Sequence, residues 1–324
     1  MTFASPAVGT EQIEQHRREL TGYCYRMLGS GFEAEDAVQE TMMRAWRAAS
    51  GFEARSSVRS WLYRIATNVC LDMLRGRERR ARPMELGPSM PPVATSLATV
   101  LPENAWISPV ADNRVLPLDS DPAEIAAYRE SIRLAFVTAL QHLPARQRAV
   151  LILCEVLRWQ ATEAAELLDT TVAAVNSALQ RARATLAALN LDETSPATVE
   201  PAQEELLSRY VDAFERFDVS RLVSLLHDDA VQSMPPYAMW LQGAENVGRW
   251  MLGPGIECQG SRLLATSANG RPAFAQYRPD GHGGHRPWAL QVIEVSGERI
   301  SGIHSFLDTE RIFPLFGLPG QLPA

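Results

Sequence analysis

The chain has 324 residues, 46% of them hydrophobic and 21% charged, with a formal net charge of −7. That length accommodates two or three domains, and the composition excludes disordered and fibrous classes. No apolar run is long enough to cross a bilayer, and Met1 to Thr10 lacks the basic start and apolar stretch of a signal peptide, so a cytoplasmic protein without a membrane partner is expected. Four cysteines, Cys24, Cys70, Cys154 and Cys258, lie far apart with no CxxC spacing. They argue against a zinc site or a disulfide framework and read as small buried apolar residues; no metal and no cofactor is expected. The charge is unevenly spread: residues 59–82 carry 7 arginines against 2 acids, whereas 191–324 carry 10 against 17. An acidic total therefore does not exclude nucleic-acid binding by the first part of the chain.

Residues 11–82 read as helices throughout. In 34–49, Val38, Met42, Ala45, Trp46 and Ala49 form one apolar stripe, opposite Glu35, Asp36, Gln39, Glu40, Arg44 and Arg47. That polar face reads either as solvated or as an acidic docking surface. In 59–80, Leu62, Ile65, Ala66, Val69 and Met73 form the buried stripe, and Arg64, Asn68, Asp72 and Arg75 recur on a polar face. Trp61 and Tyr63 stand at the start of this helix, and Arg77, Arg79, Arg80 and Arg82 follow its end. Arginine forks suit phosphate, Asn and Arg read base edges, and aromatics stack on unpaired bases.

The runs "AEDAVQETMMRAWRA" and "SVRSWLYRIATNVCLDMLRGRERR" resemble region 2 of the extracytoplasmic-function (ECF) group of bacterial sigma factors, in order, spacing and residue type over about seventy residues. The resemblance implies that Glu35, Asp36, Gln39 and Glu40 meet the β′ clamp coiled coil of core RNA polymerase. It also implies that Arg59, Trp61, Arg64, Asn68, Asp72 and Arg75 recognise and open the −10 element. Arg77, Arg79 and Arg80 would then hold phosphate and supply salt-sensitive affinity. Trp61 and Asp72 have a plainer reading as residues that fix helix packing.

Residues 83–121 form a linker. Seven prolines between Pro83 and Pro117 forbid a long helix or a central strand. Leu101, Trp106, Ile107, Val110, Val115 and Leu116 give the linker apolar positions able to dock on a neighbour. "LPENAWISPVAD" resembles a tryptophan-proline motif of ECF factors that carry an extra C-terminal domain. Trp106 reads equally as a residue that docks that domain or as one that covers a local patch.

Residues 122–190 are helical again. Within 147–187, Asp169-Thr170 makes a turn, Thr171 is a natural N-cap, and Val172, Val175, Leu179 and Leu186 share a face. This is a helix-turn-helix pattern, whose last helix enters a major groove. Thr171, Ala173, Ala174, Asn176, Ser177, Gln180, Arg181 and Arg183 form its outward face. The segment is similar to sigma region 4, which implies −35 recognition and contact with the β flap. Asn176 and Ala178 stand where many ECF members have basic residues, so this recognition helix is less charged than usual.

After a short Thr194–Pro201 stretch, residues 202–318 begin with helices and end in strands. Leu206, Leu207, Tyr210, Val211, Phe214 and Phe217 line the first helix; 219–227 and "GAENVGRWM" suggest two more. Strand signals follow at 261–267, 272–278, 287–295 and 299–307, with Asp280-Gly281 and Ser296-Gly297 as turns. This part resembles the SnoaL-like branch of the NTF2 fold, an α+β cone. The resemblance implies a pocket, for which Tyr237, Trp240, Trp288, His304 and Asp308 are the candidates. A regulatory role is expected for this domain, rather than catalysis; a small-molecule sensor or a retained enzyme is the alternative.

The expected fold is thus multidomain: two all-α domains, sigma region 2 (10–82) and the region 4 helix-turn-helix (122–190), and a C-terminal α+β domain (202–318). No repeat or coiled coil suggests anything but a monomer when free.

Overall fold

The computed structural model describes residues 8–52, 57–117, 121–189 and 201–323. The described residues form two compact units, drawn from Met1–Arg80 with Asn113–Asp192 and from Ala81–Asp112 with Glu193–Ala324.

The first unit is all helical. Helices α1 (Thr10–Glu14), α2 (Arg17–Leu28), α3 (Gly31–Ala48) and α4 (Val58–Met73) pack on one another. Ser30 caps α3 by accepting from Glu33 N at 3.3 Å, and Ser57 caps α4 by accepting from Ser60 N at 3.0 Å. Each cap satisfies a backbone donor that the first turn leaves unpaired. Ala34, Val38, Met42 and Ala45 are buried along α3, as their spacing predicts. Trp46 departs from that expectation, with 67% of its surface exposed. At 100° per residue it lies about 80° from Val38, at the margin of the stripe.

Helices α5 (Pro122–Ile132), α6 (Leu134–Gln141) and α7 (Ala145–Leu151) follow, and α7 runs on into a π-helical turn, Ile152–Val156. Helices α8 (Ala161–Leu167) and α9 (Val172–Ala188) flank the Asp169-Thr170 turn, where Asp169 adopts a positive φ of 50°. Thr171 Oγ1 caps α9 by accepting from Ala174 N at 3.1 Å. Two buried arginines tie these helices to α2. Arg26 donates to Ser131 Oγ through Nε at 3.0 Å and Nη2 at 2.6 Å. Arg148 donates to the Met27 carbonyl, to Gln141 Oε1 at 2.6 Å and to the Leu143 carbonyl at 3.1 Å. Burial lowers both guanidinium pKa values to about 10, the cost of removing a charge from water.

The second unit is α+β. Helices α10 (Pro201–Glu215) and α11 (Val219–Ser224) precede a six-stranded sheet with α12 (Ala244–Leu252) inserted and α13 (Thr309–Phe316) at its end. The strands are β1 (Leu226–Ser233), β2 (Trp240–Gln242), β3 (Arg262–Ala268), β4 (Arg271–Pro279), β5 (His285–Ser296) and β6 (Arg299–Phe306), in the order β2-β1-β6-β5-β4-β3. All neighbours are antiparallel except β1 and β6. Strand β1 departs from the expectation of a helix running to residue 227. The polar run His227-Asp228-Asp229 hides the strand period, and pairing with β6 from seventy residues away decides it. The core gathers Tyr210, Phe214, Leu226, Met239, Trp250, Ile293 and Ile300 between helices and sheet.

The Pro-rich segment belongs to this second unit. Trp106, Ile107 and Val110 are buried. Val110 and Asn269 pair through both backbones and side chain: Asn269 N donates to Val110 O, and Val110 N donates to Asn269 Oδ1, each at 3.1 Å. Asn269, at φ 57°, makes the β3–β4 turn, and Asp112 Oδ1 accepts from Gly270 N at 2.8 Å in the same turn. Farther back, Leu101 N donates to Pro236 O at 3.1 Å, Ala238 N to Thr99 O at 3.0 Å and Met90 N to Trp240 O at 2.9 Å. The segment is a strap laid on the C-terminal fold. The Thr194–Pro201 stretch lies, up to residue 200, outside the described residues.

Candidate functional site

The acidic face of α3 is open. Asp36 and Gln39 are exposed, Glu40 pairs with Arg44 at 2.7 Å, and Glu35 pairs with Arg114 at 2.9 Å. Met43, 42% exposed, and Trp46 share this face. The apolar spacing predicts a buried Trp46 and does not mark Met43, yet both are exposed. Helical angle alone would have put Met43 between Asp36 and Gln39.

Along α4, Asn68, Asp72 and Arg75 are exposed, with Arg75 bound to Asp72 at 3.0 Å. Trp61 is half-buried and packs on Phe52, ring centroids 5.0 Å apart. The arginine tail is not uniform. Arg77 and Arg80 both grip Glu33 in the first turn of α3, Arg80 at 2.8 Å and buried. Arg79 donates to His142 Nε2 at 2.8 Å.

The start of α4 is engaged by the helix-turn-helix. Arg64 Nη2 donates to the Glu166 carbonyl of α8 at 3.0 Å. Trp159, between the π-turn and α8, lies against Tyr63 with ring centroids 5.1 Å apart. Arg59 sits over the rings of Tyr63 and Trp159, at 5.2 and 5.3 Å, and its Nε binds Glu19 Oε2 at 2.8 Å. Tyr63 OH donates to the same Glu19 oxygen at 3.2 Å. Burial opposes ionisation of Glu19, but hydrogen bonds from His16 and Arg59 and the charge of Arg59 outweigh it, so its pKa lies below the usual carboxylate range. Glu19, Trp159 and Glu166 carried no periodic signal that marked them.

On α9, Thr171, Ala173, Ala174, Asn176, Ser177, Gln180, Arg181 and Arg183 are all exposed, while Val175 and Ala182 face inward. Arg183 pairs with Glu155.

The C-terminal fold encloses a cavity of about 310 Å³, whose walls include Tyr210, Phe214, Met234, Tyr237, Trp250 and Trp288. Of the pocket candidates, Tyr237 and Trp288 line it. Trp240 lies on β2, its indole donating to the Gly87 carbonyl at 2.9 Å. Ile303 and Ser305 face the cavity, so strand alternation turns His304 to the opposite side of the sheet. There its Nδ1 meets Ser233 Oγ at 2.8 Å and its Nε2 lies 3.6 Å from Glu294 Oε2. Asp308 precedes α13, 3.6 Å from Arg311, and burial raises its pKa. The cavity also has a polar strip that no motif marked: Gln232, Gln276, Arg278 and Gln291. The i, i+2 spacing of Gln276 and Arg278 on β4 is the signal the sequence offers for it.

Among the described residues no helix is long and apolar enough to cross a membrane, and no cluster of His, Cys, Asp and Glu is arranged to hold a metal. The family model for sigma-70 region 2 matches residues 12–80, that for sigma-70 region 4 matches 133–186, and that for the SnoaL-like domain matches 207–303. The chain is 45% identical over 314 residues to the ECF RNA polymerase sigma factor SigG of Mycobacterium tuberculosis strain H37Rv, covering 95% of this chain and 83% of that protein. It is 29% identical over 302 residues to SigJ of the same strain, covering 88% and 86%. The crystal structure of M. tuberculosis SigJ shares the fold, with a TM-score of 0.61 at 22% identity, over 96% of this chain and all of that one. Two helical sigma domains and a SnoaL-like α+β domain thus define the class of protein. The chain belongs to the ECF family of RNA polymerase sigma factors.

Proposed function

We propose that the chain binds core RNA polymerase in the cytoplasm and directs it to selected promoters, with the C-terminal domain adjusting that activity. The observation that carries the reading is the pairing, in one chain, of an exposed acidic helix face on α3 with two separate arginine-bearing helices, α4 and α9. Asp36, Gln39 and Glu40, joined by the apolar Met43 and Trp46, meet the β′ clamp coiled coil. Trp61, Arg64, Asn68, Asp72 and Arg75 read and open the −10 element, and Arg59 steers the start of that helix. The exposed face of α9 reads the −35 element, and region 4 also meets the β flap. Arg79, exposed and bound to His142, is the tail residue that meets phosphate, whereas Arg77 and Arg80 hold region 2 together through Glu33. The free chain is a monomer.

The domain at 202–318 regulates and does not catalyse. Its cavity walls offer one carboxylate, Glu257, which is spent on Arg278 at 3.0 Å, and His304 faces away. The contacts of Trp159 and Glu166 engage Arg59 and Arg64 at the start of α4, so full use of these two arginines at the −10 element requires the contacts to part.

Run-off transcription with purified bacterial core RNA polymerase tests the reading, using the full chain and a version ending near Asn190. Transcripts that depend on the added chain are expected. No transcription and no core binding from either version would overturn it.

A further inference from the structure

The cavity presents donors with too few acceptors. Tyr210 OH donates to Gln291 Oε1 at 2.8 Å, Gln291 Nε2 to Gln276 Oε1 at 2.9 Å, and Gln276 Nε2 to Ser261 Oγ at 3.0 Å. This chain satisfies itself and fixes the orientation of both amides. Two donors on the same wall are left poorly served. Gln232 is buried, and its amide nitrogen reaches only the Met234 sulfur, at 3.9 Å. Arg278 has a side chain only 9% exposed, stacked on Trp288 with Cζ 3.4 Å from the ring centroid. Its Nη1 meets Glu257, a carboxylate 74% exposed, its Nη2 meets the Cys258 sulfur at 3.2 Å, and its Nε has no partner among the described residues. A buried guanidinium demands acceptors, and a thiol is a weak one. Apart from Ser305 the remaining walls are apolar and aromatic, and about 310 Å³ is near the lower end of small-molecule pockets.

One wall comes from the strap. Ala94 and Leu97 line the cavity, and Met90 and Leu97 pack on the core. The strap is held beside them by Trp240 Nε1 to Gly87 O and by the Met90, Thr99 and Leu101 backbone bonds. The same segment covalently joins region 2 to region 4.

We propose that this cavity binds a small carboxylic acid with a one- or two-ring apolar body, its carboxylate accepting from Arg278, and that the Ala94–Leu97 turn is the lid over it. The acceptor-poor guanidinium selects an anion, the aromatic walls select the ring, and the volume excludes larger bodies. Occupancy reinforces the strap, so a metabolite of this class is felt by the segment that tethers the two promoter-reading domains. The inference rests on the regulatory reading of the domain only for that last consequence.

The test uses the full chain with 2-naphthoate and benzoate as probes and 2-naphthamide as the uncharged counterpart, by calorimetry and hydrogen exchange. Binding of at least one acid is expected, with the amide weaker by about tenfold or more, the loss of a charge-assisted pair. Arg278→Gln should erase the difference between acid and amide. Leu97→Ala, which leaves the anchor intact, should weaken both alike. Exchange over residues 86–101 should slow when the acid is bound. Equal affinity for acid and amide, unchanged acid binding by R278Q, or no binding of either acid would each overturn the proposal. Run-off transcription by the same preparation separates the failures: transcription without acid binding rejects the cavity site alone, whereas loss of transcription rejects the sigma reading.

Discussion

Glu19 shows how one side chain links two domains. It accepts from Arg59 and Tyr63, and those two residues form the platform on which Trp159 lies. Its folded-state pKa is depressed, so its contribution to stability is fully present above the ordinary glutamate range and is lost as pH falls through the lowered value. Urea midpoints measured between neutral pH and about pH 3 should therefore fall on the acid side, and Glu19→Gln should start lower and fall less steeply. Parallel acid slopes for the two proteins would remove Glu19 from this role. Apolar identity put Trp46 in the core stripe, but its angle around α3 leaves it in solvent beside the acidic residues.

At the scale of elements, the important contact is that of α4 with the helix-turn-helix. Arg64 spends a donor on the Glu166 carbonyl and Arg59 spends its face on Trp159, so these two arginines are less available to DNA in this arrangement. Trp159→Ala removes the ring that closes it. The variant should bind a single-stranded −10 oligonucleotide several-fold more tightly than the wild type, an aromatic and a cation–π contact together being worth about 1–2 kcal/mol. Fluorescence anisotropy measures this directly, and equal affinities would show that the contact does not restrain α4. The helices themselves were legible in the sequence, because each carries its own 3.6-residue period and its own cap, Ser30, Ser57 or Thr171. Strand β1 was not legible, because its polar residues become a strand only beside β2 and β6.

At the scale of the whole chain, acidity and basicity are segregated: residues 191–324 hold 10 arginines against 17 acids, while the α4 region is basic. An acidic domain tethered to a basic helix is expected to compete with phosphate for it. Comparing the full chain with the version ending near Asn190, promoter-binding affinity should show different salt slopes, and identical slopes would sink the competition. The structure adds a consequence. The shortened chain loses the surface that buries Trp106, Ile107 and Val110, so residues 81–112 become an exposed apolar segment in it. Salt slopes are therefore best measured at protein concentrations where light scattering shows the shortened form to be unassociated.

The sequence by itself determined the order of the domains, the helices of regions 2 and 4, the outward face of α9 and the membership of the family. These properties follow from short-range spacing: a helical period, a cap and a turn are written within a dozen residues. Only the tertiary structure decided that the Pro-rich strap lies on the SnoaL-like domain, that His304 turns away from the cavity while Arg278 lines it, and that Trp159 and Glu166 cover the start of α4. Each of these joins residues distant along the chain, more than 100 apart in the case of Arg64 and Glu166.

 The contact that fixes His304 is with Ser233, 71 residues away, and the strap bond of Val110 to Asn269 spans 159 residues. Local periodicity says which face of an element is buried. Which distant element buries it is set by the packing of the whole chain, and no short window of sequence contains that information.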